Sequence, residues 1–381
     1  MQTDYLPAIF TDEAVAGALD ELFGIEAFQQ GMTGILPEGL ISQILQRYPT
    51  IKTVEQLQGQ LILPVLHWIR DQSISQLTVS GLEGLDPSKR YLFISNHRDI
   101  VLDSAFMNAL LYENGFTTSQ VAIGDNLMKH RLSALIFKLN KSFEVRRGGT
   151  ATERYQAARG LSAYIRQQIV SGRDSVWIAQ REGRANDGND LTQPGLLKML
   201  SMSAPHATRD HFADLNLIPV SISYEFDPCD GIKTAAYLHK QTDPGYKKSF
   251  EEDTRHMLLG LLGFKGRVHF HFGACLTPRL TTLEADQPAR EVLEHLAGWI
   301  DHSVHLHYRL SAVNFVASDL LSASSTHRSS YSDAEFADIS ANFEHKIRGF
   351  AEADKKAARA YLLGMYANPV KHYALALPCA P

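Results

Sequence analysis

Between Ile94 and Phe106 the chain reads ISNHRDIVLDSAF, with one residue between His97 and Asp99 and five between His97 and Asp103. A histidine titrates near neutral pH, so it can take a proton from a weak nucleophile as that nucleophile attacks. A carboxylate on its other ring nitrogen would fix the tautomer and stabilise the imidazolium that forms. Two carboxylates are within reach in sequence. Asp99 also stands where a helix N-cap belongs, ahead of IVLDSAF, and Asp103 could merely complement the helix dipole in the first turn. Asn96, just before the histidine, completes the polar cluster.

Two further clusters follow strand-like runs. Arg146-Arg147-Gly148-Gly149 comes after SFEV, and Arg181-Glu182-Gly183-Arg184 comes after SVWIA. Guanidinium groups can hold a phosphate through paired N–H donors. Adjacent side chains on a strand point to opposite faces, so only one of Arg146 and Arg147 should face a site, and Arg147 is favoured. Glu182 is read as a hydrogen-bond acceptor or a loop-organising group. Gly183 supplies a backbone conformation or a close approach that a Cβ would block. The apolar run Ile218-Pro219-Val220 could line an acyl chain. Gly124-Asp125-Asn126-Leu127 has the chemistry of a turn and cap. His97-Arg98-Asp99 also spells the start of a kinase catalytic loop. Position 104 is Ser rather than the required Asn, and no glycine-rich loop or Asp-Phe-Gly accompanies it, which excludes a kinase.

These clusters need a scaffold that brings strand ends together. From Ser75 onward, strand-like segments (SQLTVSGL, YLFISN, VAIG, SFEVR, SVWIA, LNLIPVSISYEF, GRVHFHFGACL) are interleaved with helix-like ones at 100–112, 126–140, 150–171, 193–202 and 247–262. Such alternation predicts an α/β fold, a mostly parallel sheet flanked by helices, with its site at the carboxyl ends of the strands. Residues 1–73 read as an N-terminal helical region, in which Pro64 should kink or interrupt the last helix. Residues 74–280 form the sheet-bearing domain, and residues 281–381 a C-terminal helical region.

Composition narrows the function. The 381 residues carry a formal net charge of −5, which excludes the basic field of a dedicated nucleic-acid binder. Cys229, Cys275 and Cys379 are too few and too scattered for a disulfide framework or a metal-binding pair, so a reducing, cytoplasmic setting is expected. The first residues lack a signal-peptide pattern, and no apolar run reaches the roughly 20 residues that span a bilayer. His269 and His271, and the group His302, His305 and His307, lack the carboxylate and cysteine partners of a zinc site; no metal is expected.

Four blocks in order, SNHRDIVLD, KSFEVRR, IAQREGRA and LIPVSI, resemble those of the glycerolipid acyltransferase family, the 1-acylglycerol-3-phosphate or lysophospholipid acyltransferases. The lead-in LTVSGLEGLDPSKRYLFISNH is similar too. The resemblance implies acyl transfer from a thioester, on coenzyme A or acyl carrier protein, to a lysophospholipid-type hydroxyl, with no further cofactor. His97 would be the base, and Arg146 or Arg147, Arg181, Glu182, Gly183, Arg184 and Asn96 would contact the acceptor. Two departures stand out. The family places four residues between its His and Asp, against five here, and Arg181 and Arg184 occupy positions usually held by Pro and a small hydroxyl residue. Asp103 lies nearer the family position, and Asp99 has the capping role, so Asp103 is expected to orient His97.

Two alternatives use the same residues. One is a thioesterase or lysophospholipase in which His97 activates water, although no Gly-x-Ser-x-Gly elbow is present. The other is a catalytically silent lipid-binding protein. A peripheral membrane contact is expected at NLMKHRLSALIFKLNK (126–141) or HMLLGLLGF (256–264), the former also reading as a core helix with a basic outer face.

Overall fold

The computed structural model describes residues 9–146, 148–243, 245–246 and 249–378. Among them, seven strands form one sheet: β1 (Ile74–Ser80), β2 (Leu92–Ser95), β3 (Gln120–Gly124), β4 (Ser142–Val145), β5 (Val176–Ala179), β6 (Leu217–Tyr224) and β7 (Gly266–Phe272). Their order is β1-β7-β6-β2-β5-β3-β4. Neighbours run parallel except β6 with β7, so the expected mostly parallel sheet flanked by helices is the architecture found. The central strand β2 (LFIS) is buried along its whole length, as a strand covered by helices on both faces must be.

Alternation along the strands divides the core in two. Phe93, Ile218, Val220 and Phe270 pack on one face with the helices Leu63–Ser73 and Leu102–Glu113. Leu92, Ile94, Val176 and Leu217 pack on the other with Ala151–Val170, Pro194–Leu200 and Ala289–Leu306. The last helix gives Val292, Leu296, Ile300 and Val304 to that core, each fully buried. The division expected at residue 280 therefore runs through a shared core, and the C-terminal chain is wound into the sheet-bearing unit.

Some local details differ from expectation. The helix expected over 126–140 is broken: a short turn spans Asp125–Met128 and the helix proper spans Arg131–Leu139, because His130 is extended. Thr208–Asp214 and Asp230–Thr242 are helices absent from the sequence reading. Pro64 sits in the first turn of Leu63–Ser73, directly after a widened π turn over Gln58–Ile62. Proline lacks an N–H and is tolerated in a first turn, so the expected interruption falls just ahead of it. The N-terminal helices close around Val15, Leu19, Ile51 and Leu57, and Leu135 and Leu139 join that cluster. The apolar stripe of Arg131–Leu139 thus serves packing.

Candidate functional site

The backbone leaving β2 carries the site. Beyond Ser95 the side-chain amide of Asn96 continues the ladder to β6, donating to the Ile222 carbonyl at 2.9 Å and accepting the Ile222 N–H at 2.8 Å. Asn96 is fully buried and its amide is used in this way. It shapes the turn by satisfying these two backbone groups.

Nδ1 of His97 lies 2.8 Å from Oδ2 of Asp103. The same oxygen accepts the backbone N–H groups of Arg98 at 2.6 Å and Asp99 at 3.0 Å. Asp103 is fully buried, so this fold of the 97–99 backbone around one oxygen fixes its position. Asp99 faces elsewhere: its Oδ1 accepts the N–H groups of Val101 at 2.9 Å and Leu102 at 2.8 Å. A turn at Ile100–Val101 separates Asp99 from the helix that begins at Leu102 and carries Asp103. Because a carboxylate only accepts, Nδ1 carries the proton and Nε2 is left as the basic nitrogen. The His97 side chain is 14% exposed, and the Trp177 ring meets it edge-on with centroids 5.6 Å apart.

The second side of the turn is ionic. Arg98 donates to Oδ2 of Asp190 at 2.5 Å, and Tyr308 donates to the same oxygen at 2.6 Å. The Arg98 guanidinium also lies 5.8 Å from the centre of the Tyr308 ring. His305 bonds the Asp190 carbonyl at 2.6 Å. The network joins the His97 turn, the loop after β5 and the Ala289–Leu306 helix with the turn that follows it. Lys233, almost fully buried, binds the Arg98 carbonyl at 3.1 Å and Asp227 at 2.5 Å.

Electrostatics follow from this packing. Burial, and then the neighbouring Asp103 charge, push the Asp99 carboxyl above the usual range, against the amides it accepts. Burial and the charges of Asp103 and Asp99 hold the Tyr224 phenol far above its ordinary value, so it stays a donor. Burial is the largest influence on Asp227 and would raise it, but the charge and hydrogen bond of Lys233, the Cys229 N–H and Arg184 together lower its pKa.

The Arg181–Arg184 cluster is divided in its roles. Arg181 closes its own loop on the Asn189 carbonyl at 3.3 Å. Glu182 is exposed, and its N–H is held by Gln193 Oε1 at 3.0 Å. Gly183 has φ +70°, and a Cβ built on it would meet nothing within 4 Å, so of the two reasons expected for it the backbone conformation is the one present. Arg184 turns inward toward Asp99 and Asp227, approaching His256 Nδ1 at 3.4 Å, with its Nη1 buried and lacking a protein partner. Arg146 is exposed at the end of β4, three strands from β2, which is about 14 Å at ordinary strand spacing. Arg147 lies outside the described residues. Ile218, Pro219 and Val220 are buried in the core.

Asp190, Tyr224, Tyr308 and Gly260 went unnoticed in the sequence because they reach the turn from distant segments. His269 and His271 bond Thr78 and Ser80, and burial, with nearby cations, lowers both to a pKa of about 4. Among the described residues no group of three or more His, Cys, Asp or Glu is placed to hold a metal.

Comparison with known proteins finds a match between residues 76–223 and the family model described as acyltransferase. The crystal structure of the 1-acyl-sn-glycerophosphate (LPA) acyltransferase PlsC from Thermotoga maritima is similar over 75% of this chain and 93% of that chain, at 11% identity and a TM-score of 0.34. No curated protein sequence matches. The matched segment runs from within β1 to within β6 and contains the whole His97–Asp103 turn, so the part of the chain that carries the site is similar to the acyltransferase family.

Proposed function

We propose that this acyltransferase moves a fatty acyl group from a thioester, acyl-CoA or acyl carrier protein, to the hydroxyl of a lysophospholipid-type acceptor, with His97 as general base. The observation that carries this is the 2.8 Å contact between His97 Nδ1 and a buried Asp103, which leaves Nε2 basic. Nε2 removes the acceptor's hydroxyl proton as the oxygen attacks the thioester carbonyl, and Asp103 stabilises the imidazolium. The tetrahedral intermediate collapses by expelling the thiolate, which takes the proton. The acceptor's polar end is assigned to the 181–184 loop, where the unpartnered Nη1 of Arg184 offers a buried donor.

The same reading places the enzyme on a membrane surface. The Phe250–Leu262 helix and the turn after it expose Leu258, Leu262 and Phe264, the last by 58%. His130, ahead of the Arg131–Leu139 helix, lies near Glu251 in the first turn of the Phe250–Leu262 helix. No helix among the described residues is long and apolar enough to cross a membrane. The test is purified protein with labelled acyl-CoA or acyl carrier protein and a panel of lysolipids on vesicles. Label in the lysolipid supports the proposal. Release of fatty acid with every acceptor refused would replace it with a hydrolase, and lipid binding without turnover would leave only a binding protein.

A further inference from the structure

The two oxygens of Asp103 are used unequally. Oδ2 accepts three donors, the His97 Nδ1–H and the backbone N–H groups of Arg98 and Asp99. Oδ1 is equally buried and has no hydrogen-bond partner among the described residues. A buried carboxylate oxygen without a donor is costly, and folded proteins rarely keep one empty.

The donor within reach comes from β6, where side chains alternate between the two faces of the sheet. On one face Ser221 bonds the Val304 carbonyl and Ser223 accepts the Arg309 N–H. On the other, Ile218, Val220 and Ile222 pack in the core shared with the helix Leu102–Glu113. Tyr224 continues this second series, toward the helix that carries Asp103. The Asn96 amide, bonded to both backbone groups of Ile222, sets that strand end in register with the His97 turn. The Tyr224 hydroxyl is buried and lacks a well-formed hydrogen bond, and Asp103 is the foremost charge acting on it. Asp99 and Asp227 also face the phenol, Arg184 faces both of them, and Arg98 faces Asp103. Those two carboxylates are already engaged, Asp99 by the N–H groups of Val101 and Leu102 and Asp227 by Lys233. One unpaired O–H and one unpaired carboxylate oxygen are left beside the turn.

We infer that Tyr224 is a positioning residue whose hydroxyl donates to Oδ1 of Asp103 and, through that carboxylate, orients His97. The inference rests on the reading of His97 as the base. Donors on both oxygens fix the plane of the carboxylate and, with it, the direction of the Nδ1–H bond. Held through Oδ2 alone, the carboxylate can turn about its Cβ–Cγ bond. Such hydrogen bonds are often loose in an enzyme without substrate and tighten in the reacting complex. Tyr224 lies one residue beyond the segment that matches the acyltransferase model.

Tyr224→Phe removes the O–H and keeps the ring. Tyr91→Phe is the control, the loss of a buried phenol bonded to Asp86 at the end of the sheet away from the site. In the full-length protein with isotopically labelled histidine, the His97 ring-nitrogen signals are those missing from His97→Ala. The Nδ1 signal reports the bond to Asp103 and needs no substrate. It is expected to shift in Tyr224→Phe and to stay in place in Tyr91→Phe. In steady state, kcat is expected to fall about tenfold in Tyr224→Phe, the loss of one charge-assisted hydrogen bond, with KM for donor and acceptor unchanged and Tyr91→Phe like wild type. An Nδ1 signal unmoved in Tyr224→Phe overturns the inference. So does a rise confined to KM, which would put the hydroxyl on a substrate. The ring signals decide the contact even if no acyl transfer is found, so its failure is separate from that of the proposed reaction.

Discussion

Asp103 and His97 meet at 2.8 Å across a turn that holds one residue more than the family spacing, and the same Asp103 oxygen collects the N–H groups of Arg98 and Asp99. The carboxylate therefore organises the turn as well as the imidazole. Asp103→Asn is expected to lower kcat by about 10²- to 10⁴-fold, the range for losing a positioned base or its orienting carboxylate. His97→Ala should remove transfer to the same degree without unfolding, since its side chain is partly exposed. Asp99→Asn should keep most activity, because an amide oxygen still caps Val101 and Leu102. Steady-state rates with circular dichroism on all three proteins check this. An active Asp103→Asn beside an inactive Asp99→Asn would reverse the two assignments.

Gly260 is the point where the Phe250–Leu262 helix touches the turn. A Cβ there would come within 2.0 Å of Asp99 Oδ2. Gly260→Ala must shift the helix or the turn, and overpacking of this kind costs about 1–3 kcal/mol. Gly298→Ala is the control, an exposed helical position with nothing within 4 Å of the new Cβ, where about 0.5–1 kcal/mol of stabilisation is expected. Urea denaturation of both variants gives the two signs. Reduced kcat in Gly260→Ala alone would show the helix acting through Asp99.

Asp190 carries the connection between the turn and the C-terminal chain. Asp190→Asn leaves the Arg98 charge enclosed without its carboxylate, and breaking one side of a buried pair costs about 3–5 kcal/mol. Thermal denaturation should show a fall of several degrees. A variant as stable as wild type would mean that water reaches Arg98 and replaces Asp190.

The alternation of strand-like and helix-like runs made the sheet legible, because buried parallel strands such as LFIS and LIPVSI are short, apolar and bounded by polar loops. The His97–Asp103 choice was legible as well, since a capping aspartate and an orienting one compete for different positions in a first helical turn. The pairing of the Asn96 amide was not legible, because its backbone partner is 126 residues away. Asp190 with Tyr308, and Asp99 with Gly260, are pairs brought together by topology alone. No local period or motif encodes such long-range contacts. The C-terminal helices read as an addition because their apolar stripes look alike whether they cover a sheet or one another.

Lys265 is fully buried and bound to neutral acceptors: Ser73 Oγ at 3.0 Å, the Leu261 carbonyl at 3.1 Å and the Gly263 carbonyl at 2.7 Å. Burial lowers its pKa from 10.5 to about 8, with Asp99 and other nearby groups opposing only in part. In the unfolded chain the ammonium keeps its ordinary pKa. Between pH 8 and 10.5 the unfolded state therefore binds more protons than the folded state, and stability rises with pH across that window. Below pH 8 both states carry the charge and the burial penalty is present in full. The gain from pH 7.5 to 10 is expected to be about 1–3 kcal/mol from this group. Lys265→Met removes it, so urea denaturation at pH 7.5, 8.5, 9.5 and 10 should give a rising curve for wild type and a flatter one for the variant. Parallel curves would mean that the lysine titrates alike in both states and that the enclosed ammonium is solvated by more than its three acceptors.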